Sequence, residues 1–120
     1  DVSLEDINYA LQKLAAEKQV EIDFFQSNHE GELIDRIQQA QGNVDAMIVN
    51  AGALTHYSIA LLDALKAVNI PFIEVHLTNI YAREEFRHQS LLSPIARGGI
   101  FGLGAAGYSL AMLAVCEWFK

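Results

Sequence analysis

Glu74 and His76 stand two residues apart in the run Pro71-Phe72-Ile73-Glu74-Val75-His76-Leu77-Thr78-Asn79. If that run is a strand, the period of two turns both side chains to one face. A carboxylate beside an imidazole fixes its tautomer and favours its charged form, which suits proton transfer. A satisfied Glu–His pair closing a strand end fits the same residues, so both readings stand at this point. Two further polar sets follow apolar runs: Gln26-Ser27-Asn28, and Asn50 with His56 in Asn50-Ala51-Gly52-Ala53-Leu54-Thr55-His56. Arg87, in Arg83-Glu84-Glu85-Phe86-Arg87, is either part of a solvated charge run or a clamp for a carboxylate or hydroxyl.

Other chemistries are poorly served. The four histidines, His29, His56, His76 and His88, lack the close spacing of metal ligands, so no metal is expected. Ser58 and Ser90 have no nucleophile-elbow context. Gly102-Leu103-Gly104-Ala105-Ala106-Gly107 fits G-x-G-x-x-G, but too little chain follows for a second strand and its ribose-binding acid. These glycines are expected to let a last helix pack closely on a sheet or to form an anion-binding turn.

The elements that must position these residues alternate. Ser3, with Asp6 as the acid of a capping box, opens a helix carrying Leu4, Ile7, Leu11 and Leu14 and ending near Lys18. Val20-Glu21-Ile22-Asp23-Phe24-Phe25 alternates like a half-exposed strand near a sheet edge. A helix follows from about Glu30 to Gln41, stopped by Gly42. Ala46 to Val49 reads as a strand buried on both faces, and Thr55 to Val68 as a third helix. The strand bearing Glu74 comes next, then a loop through Ser90. A short strand within Ile95 to Phe101 and a helix over Ala105 to Phe119 complete the chain. This order predicts one α/β domain over residues 1–120: a flavodoxin-like, doubly wound parallel sheet in three α/β/α layers. Ligands of such sheets lie beyond the carboxyl ends of the strands, where the three polar sets converge. A flavodoxin-like order also calls for a central strand ahead of the first helix. Without one, the sheet has a gap and two orphan edges.

Composition narrows the partners. At 52% hydrophobic and 19% charged, the 120 residues can bury a core and are not those of a disordered chain. A net charge of −7 argues against nucleic acid, which wants a basic face, while leaving room for an anionic small substrate held by local donors. The longest apolar stretch, Gly98 to Val115, is broken by glycines and by Tyr108 and Ser109, so no membrane span is expected. The single Cys116 and the absence of a leader-like pattern in the first residues suggest a cytoplasmic protein.

Five segments, in order, resemble type II 3-dehydroquinate dehydratase. They are Phe25-Gln26-Ser27-Asn28-His29-Glu30-Gly31, Asn50 to His56, Ile73 to Asn79, Arg83 to Arg87 and Gly102 to Tyr108. The resemblance implies a flavodoxin-like subunit in trimers that assemble to a dodecamer. It implies a carbon–oxygen lyase of the shikimate pathway that removes water from 3-dehydroquinate through an enolate, with no cofactor. Carried over by position, His76 is the general acid, Glu74 orients it, and Asn50 holds the water that stabilises the enolate oxygen. Leu77 and Thr78 grip the substrate carboxylate through their N–H groups. His56 and Arg87 bind ring hydroxyls, and Asp63 reaches a neighbouring subunit's site. The family also has an N-terminal strand and a mobile loop with an arginine and a proton-abstracting tyrosine. This sequence starts past both, so an N-terminally truncated domain is expected, and Tyr9, Tyr57, Tyr81 and Tyr108 match no part of that loop. The rival expectation is a non-catalytic truncated α/β protein that keeps oligomer and anion-binding surfaces.

Overall fold

The computed structural model describes residues 2–120. Four helices, α1 (Leu4–Lys18), α2 (Glu30–Ala40), α3 (Ile59–Val68) and α4 (Ala106–Glu117), surround three strands, β1 (Met47–Val49), β2 (Phe72–His76) and β3 (Gly98–Phe101). The strands are parallel in the order β1-β2-β3. Side-chain alternation along β2 divides the core. Phe72 faces α2 and α3 with Ile37, Leu61, Ala64, Leu65 and Val68. Ile73 and Val75 face α4 with Ala111, and α1 packs on α4 through Leu11, Ala15 and Met112. This is the expected three-layer α/β/α fold. Full burial of a side chain such as Phe72 or Leu61 contributes roughly 1.5–3 kcal/mol, so two such layers hold β2 from both sides.

The helix ends follow their local chemistry. Ser3 and Asp6 form the reciprocal capping box, with Asp6 N–H donating to Ser3 Oγ at 3.1 Å and Ser3 N–H to Asp6 Oδ2 at 3.0 Å. Those bonds hold the Asp6 carboxyl below its ordinary pKa. Gly42, at φ +80°, follows the end of α2 as the sequence predicted. The third helix starts later than expected. Gly52–His56 is a separate 3₁₀ turn, and Ser58 caps α3 by accepting the Leu61 N–H at 3.0 Å. Ser58 Oγ also donates to the Glu30 carboxylate, which ties the starts of α2 and α3 together.

Two expectations about strands are corrected. Val20–Phe25 is not a strand, although its alternation is real: Ile22 and Phe24 turn inward against α1 and α4, while Glu21, Asp23 and Phe25 are exposed. A strand exists only by pairing, and among the described residues this segment has no ladder partner. Likewise β1 is half-buried, not buried on both faces, and among the described residues only its β2 side is paired. An open trough of about 1940 Å³ separates the two segments, lined by Val20–Phe25, Met47–Val49, Leu11, Ile37 and Met112 among others. Backbone groups facing it have no protection from solvent. Hydrogen–deuterium exchange should therefore find the Glu21 to Phe25 amides exchanging well ahead of those of Ile73 and Val75. Equal protection would show a ladder on the β1 edge.

Candidate active site

The site lies where the parallel strands end. Register sets its geometry: Val49, Glu74 and Gly99 are level across the sheet, as are His76 and Phe101. Level residues of a parallel sheet point to the same side, so His76 and Phe101 stack, with ring centroids 5.4 Å apart and planes 8° from parallel. The Phe101 ring lies over Gly99, where a Cβ would come within 2.7 Å of it, so a side chain there would displace the ring. The chain leaving β3 also presses on the chain leaving β2. Gly102, at φ +81°, places its Cα within a Cβ's reach of Asn79, and its N–H donates to His76 O at 3.1 Å. Of the motif's glycines, Gly102 thus serves close packing, whereas a Cβ at Gly107 would meet Ile100 and Val75 at ordinary contact distances of 3.4 and 3.5 Å.

Glu74 and His76 are both buried, at 1% and 6% exposure, and His76 Nε2 is 2.7 Å from Glu74 Oε2. Donation of the Nε2 proton to the carboxylate leaves Nδ1 as the nitrogen available for exchange with a ligand. Two residues that sequence reasoning missed complete the pair. Ser90 Oγ donates to Glu74 Oε2 at 2.6 Å, and Ser93 Oγ donates to Glu74 Oε1. Burial alone would raise the Glu74 pKa. The hydrogen bonds from His76, Ser90 and Ser93, together with the His76 charge, outweigh it and hold the carboxyl below its ordinary value. Nothing in the spacing of two loop serines shows which carboxylate they will meet.

The remaining candidates divide. His56 is brought to the site, its ring 6.3 Å from that of His76 and its Nδ1 2.8 Å from Gln89 O. Asn50 leaves β1 with its side chain fixed at both ends: Nδ2 donates to the Tyr108 hydroxyl at 2.8 Å, and Oδ1 accepts from Gly52 N–H at 3.2 Å. Tyr108 is a third contact the sequence did not reveal, after Ser90 and Ser93. Leu77 and Thr78 are exposed just past β2, and their N–H groups have no protein acceptor among the described residues. Arg87 lies in the 3₁₀ turn Glu85–Arg87, which packs against the His56 turn. Its Nε pairs with Glu84 at 2.6 Å and its guanidinium stacks over Phe86, so both open readings of Arg87 involve leaving or keeping that pair. Asp63 is not brought to this site; it is exposed on α3. No group of three His, Cys, Asp or Glu residues suited to a metal exists among the described residues, and no helix is long and apolar enough to cross a membrane.

The family model described as dehydroquinase class II matches residues 1–116. The chain belongs to the class II dehydroquinase family. A protein from Francisella philomiragia named 3-dehydroquinate dehydratase is 58% identical over 118 residues, covering 98% of this chain and 80% of that protein. One of the same name from Bacillus subtilis is 51% identical over 110 residues, covering 92% of this chain and 74% of its own length. The crystal structure of the type II dehydroquinase from Butyrivibrio crossotus superposes with a TM-score of 0.90 at 41% identity, covering 96% of this chain and 80% of that one. Class II dehydroquinase membership therefore rests on sequence and on shape together.

The lowered Glu74 pKa makes a signed prediction. A carboxyl whose folded pKa lies below its unfolded value contributes stability above the unfolded pKa and loses it as pH falls through the folded one. Glu74→Gln should destabilise the fold at neutral pH by about 1–3 kcal/mol, the cost of an unsatisfied buried group. The gap to the parent should close as pH falls below the carboxylate range, read by urea unfolding at a series of pH values. A gap independent of pH would show that Glu74 is not ionised in the fold.

Proposed function

We propose that this chain is a 3-dehydroquinate dehydratase, a hydro-lyase that converts 3-dehydroquinate to 3-dehydroshikimate. The observation that carries the reading is the buried Glu74–His76 pair at the carboxyl end of β2, in a chain of the class II dehydroquinase family. In the elimination, a base takes the proton next to the ketone and the electron pair moves into an enolate. Collapse of the enolate then expels the hydroxyl, which leaves as water only if it is protonated. His76 supplies that proton, and Glu74 holds the imidazole and balances its charge. Asn50, anchored by Tyr108 and Gly52, holds the water that stabilises the enolate oxygen. The Leu77 and Thr78 N–H groups grip the substrate carboxylate as preorganised donors, while His56 and Arg87 bind ring hydroxyls. Proton abstraction falls to the family's tyrosine loop, which Tyr9, Tyr57, Tyr81 and Tyr108 do not match, so the residues described here perform the acid half. No cofactor is needed for this chemistry.

The conjugated enone product absorbs in the ultraviolet, and its appearance on adding 3-dehydroquinate tests the reading. In protein that turns the substrate over, His76→Ala should lower kcat by about 10²–10⁴-fold, the usual contribution of a general acid. A loss under about tenfold, well short of that range, would give His76 another job. Binding of 3-dehydroquinate with no enone formed would favour the non-catalytic reading.

Assembly belongs to the same proposal. Asp63 interrupts the apolar row of Leu61, Leu62, Ala64 and Leu65 on α3 and is exposed in the single chain. A trimer contact would let it reach the neighbouring subunit's substrate, and four trimers would make the dodecamer. Such an enzyme would work in the cytoplasm, where Cys116 stays a free thiol. Asp63→Ala should weaken trimers in analytical ultracentrifugation and raise KM. If both were unchanged, Asp63 would be an ordinary exposed helix acid.

A further inference from the structure

We propose that Ser90 and Ser93 are positioning residues for the acid pair, locking Glu74 as an acceptor-only carboxylate against His76. A serine hydroxyl has one proton to donate and two lone pairs. Ser90 Oγ accepts from Leu92 N–H at 3.1 Å and from Ser93 N–H at 3.0 Å, which uses both lone pairs. Its proton is therefore committed to Glu74 Oε2, 2.6 Å away. That same oxygen also faces His76 Nε2 at 2.7 Å, so with the imidazole proton on Nε2 it meets two donors and has no acceptor to which it could give a proton. In that tautomer a proton on Glu74 could sit only on Oε1, and there Ser93 Oγ is the partner. Ser93 thus guards the one oxygen on which the carboxylate could be neutralised.

The loop that delivers the two serines is itself braced. Leu91 N–H donates to Thr55 O at 2.9 Å, and Gln89 O meets His56 Nδ1 at 2.8 Å, so the serine loop is tied to the His56 turn at two points. Leu92, fully buried, anchors it in the core with Phe72. The titratable groups near the pair are few. His76 lies on the same strand and His56 beyond it, while α3 presents Leu61 and Leu65 on this face and exposes its Asp63 and Lys66. Tyr108 of α4 packs on the opposite face of β2 with Ile73 and Val75, and Arg87 and Arg97 are engaged with Glu84 and with the Trp118 ring. The hydroxyls are therefore the nearby groups, besides the imidazole, that set the charge of Glu74.

The consequence for turnover rests on the dehydratase reading, but the state of Glu74 does not, and the test separates them. Glu74 is titrated by NMR with carboxyl-¹³C glutamate in the substrate-free chain. In Ser93→Ala its midpoint should move to higher pH, and Ser93→Thr, which keeps the hydroxyl, should restore it. Should Ser93→Ala fail to fold, Ser93→Cys, with its weak donor, should give the same displacement. In turning-over protein, kcat should fall by about tenfold, the effect of one hydrogen bond on the transition state. KM should hold, and the acid limb of the kcat profile should move up with the NMR midpoint. A Glu74 midpoint that is unmoved in folded Ser93→Ala or Ser93→Cys overturns the inference. Absence of enone in the parent protein would overturn the dehydratase reading and leave the midpoint result standing.

Discussion

The structure depends on keeping a charged carboxylate out of water. Moving a lone carboxylate into a protein interior costs several kcal/mol even after relaxation, a sizeable part of the 5–15 kcal/mol that holds a small domain together. Glu74 is tolerable at 1% exposure because three donors converge on it from two separate pieces of chain: His76 from its own strand, Ser90 and Ser93 from the loop after the Glu85–Arg87 turn. The loop's position is fixed by Leu92 in the core and by Leu91 on Thr55. The cost of burial is thus offset only when the loop, the His56 turn and β2 are all in place. This makes the buried Glu74–His76 pair a consequence of the tertiary fold, not of β2 alone.

Parallel pairing explains why the other polar residues gather at the same place. All three strands end on one side of the sheet, so Asn50, Leu77 and Gly102 leave from neighbouring points. Close approach there requires small residues. Gly102 adopts a left-handed turn against Asn79, where a Cβ would come within 3.1 Å of that residue. The motif that looked like a dinucleotide fingerprint is spent on this contact. Its glycines bring the β3 exit close enough for Gly102 and Gly104 to donate to the carbonyls of His76 and Leu77.

What was legible in the sequence was whatever repeats with a local period or carries a local cap. The Ser3–Asp6 box, the stop at Gly42, the two-residue pairing of Glu74 with His76 and the α/β/α layering follow from neighbours within a few residues. Val20–Phe25 shows how far a local period reaches. Its alternation correctly turned Ile22 and Phe24 inward, but alternation specifies faces and not partners, and a ladder needs a partner. The contacts that finish the site span far longer separations: Ser90 and Ser93 lie 16 and 19 residues from Glu74, and Tyr108 lies 58 from Asn50. No local pattern encodes those, because each depends on where a loop or helix comes to rest.

The unpaired side of β1 bears on how the site is supported. Glu74 and His76 stand on β2, which has a strand on each side and a helical layer on each face. Asn50 leaves β1, whose far edge borders the open trough, so the sheet holds it from one side only. It compensates through its own side chain, which spends one end on the Tyr108 hydroxyl of α4 and the other on the Gly52 N–H. Both bonds are to groups outside the sheet, so the position of Asn50 is set by α4 and by its own turn. The Glu74–His76 pair is therefore held by the sheet centre, and Asn50 by its side-chain bonds. Disturbance of the β1 edge would then reach Asn50 through its backbone well before it reached His76.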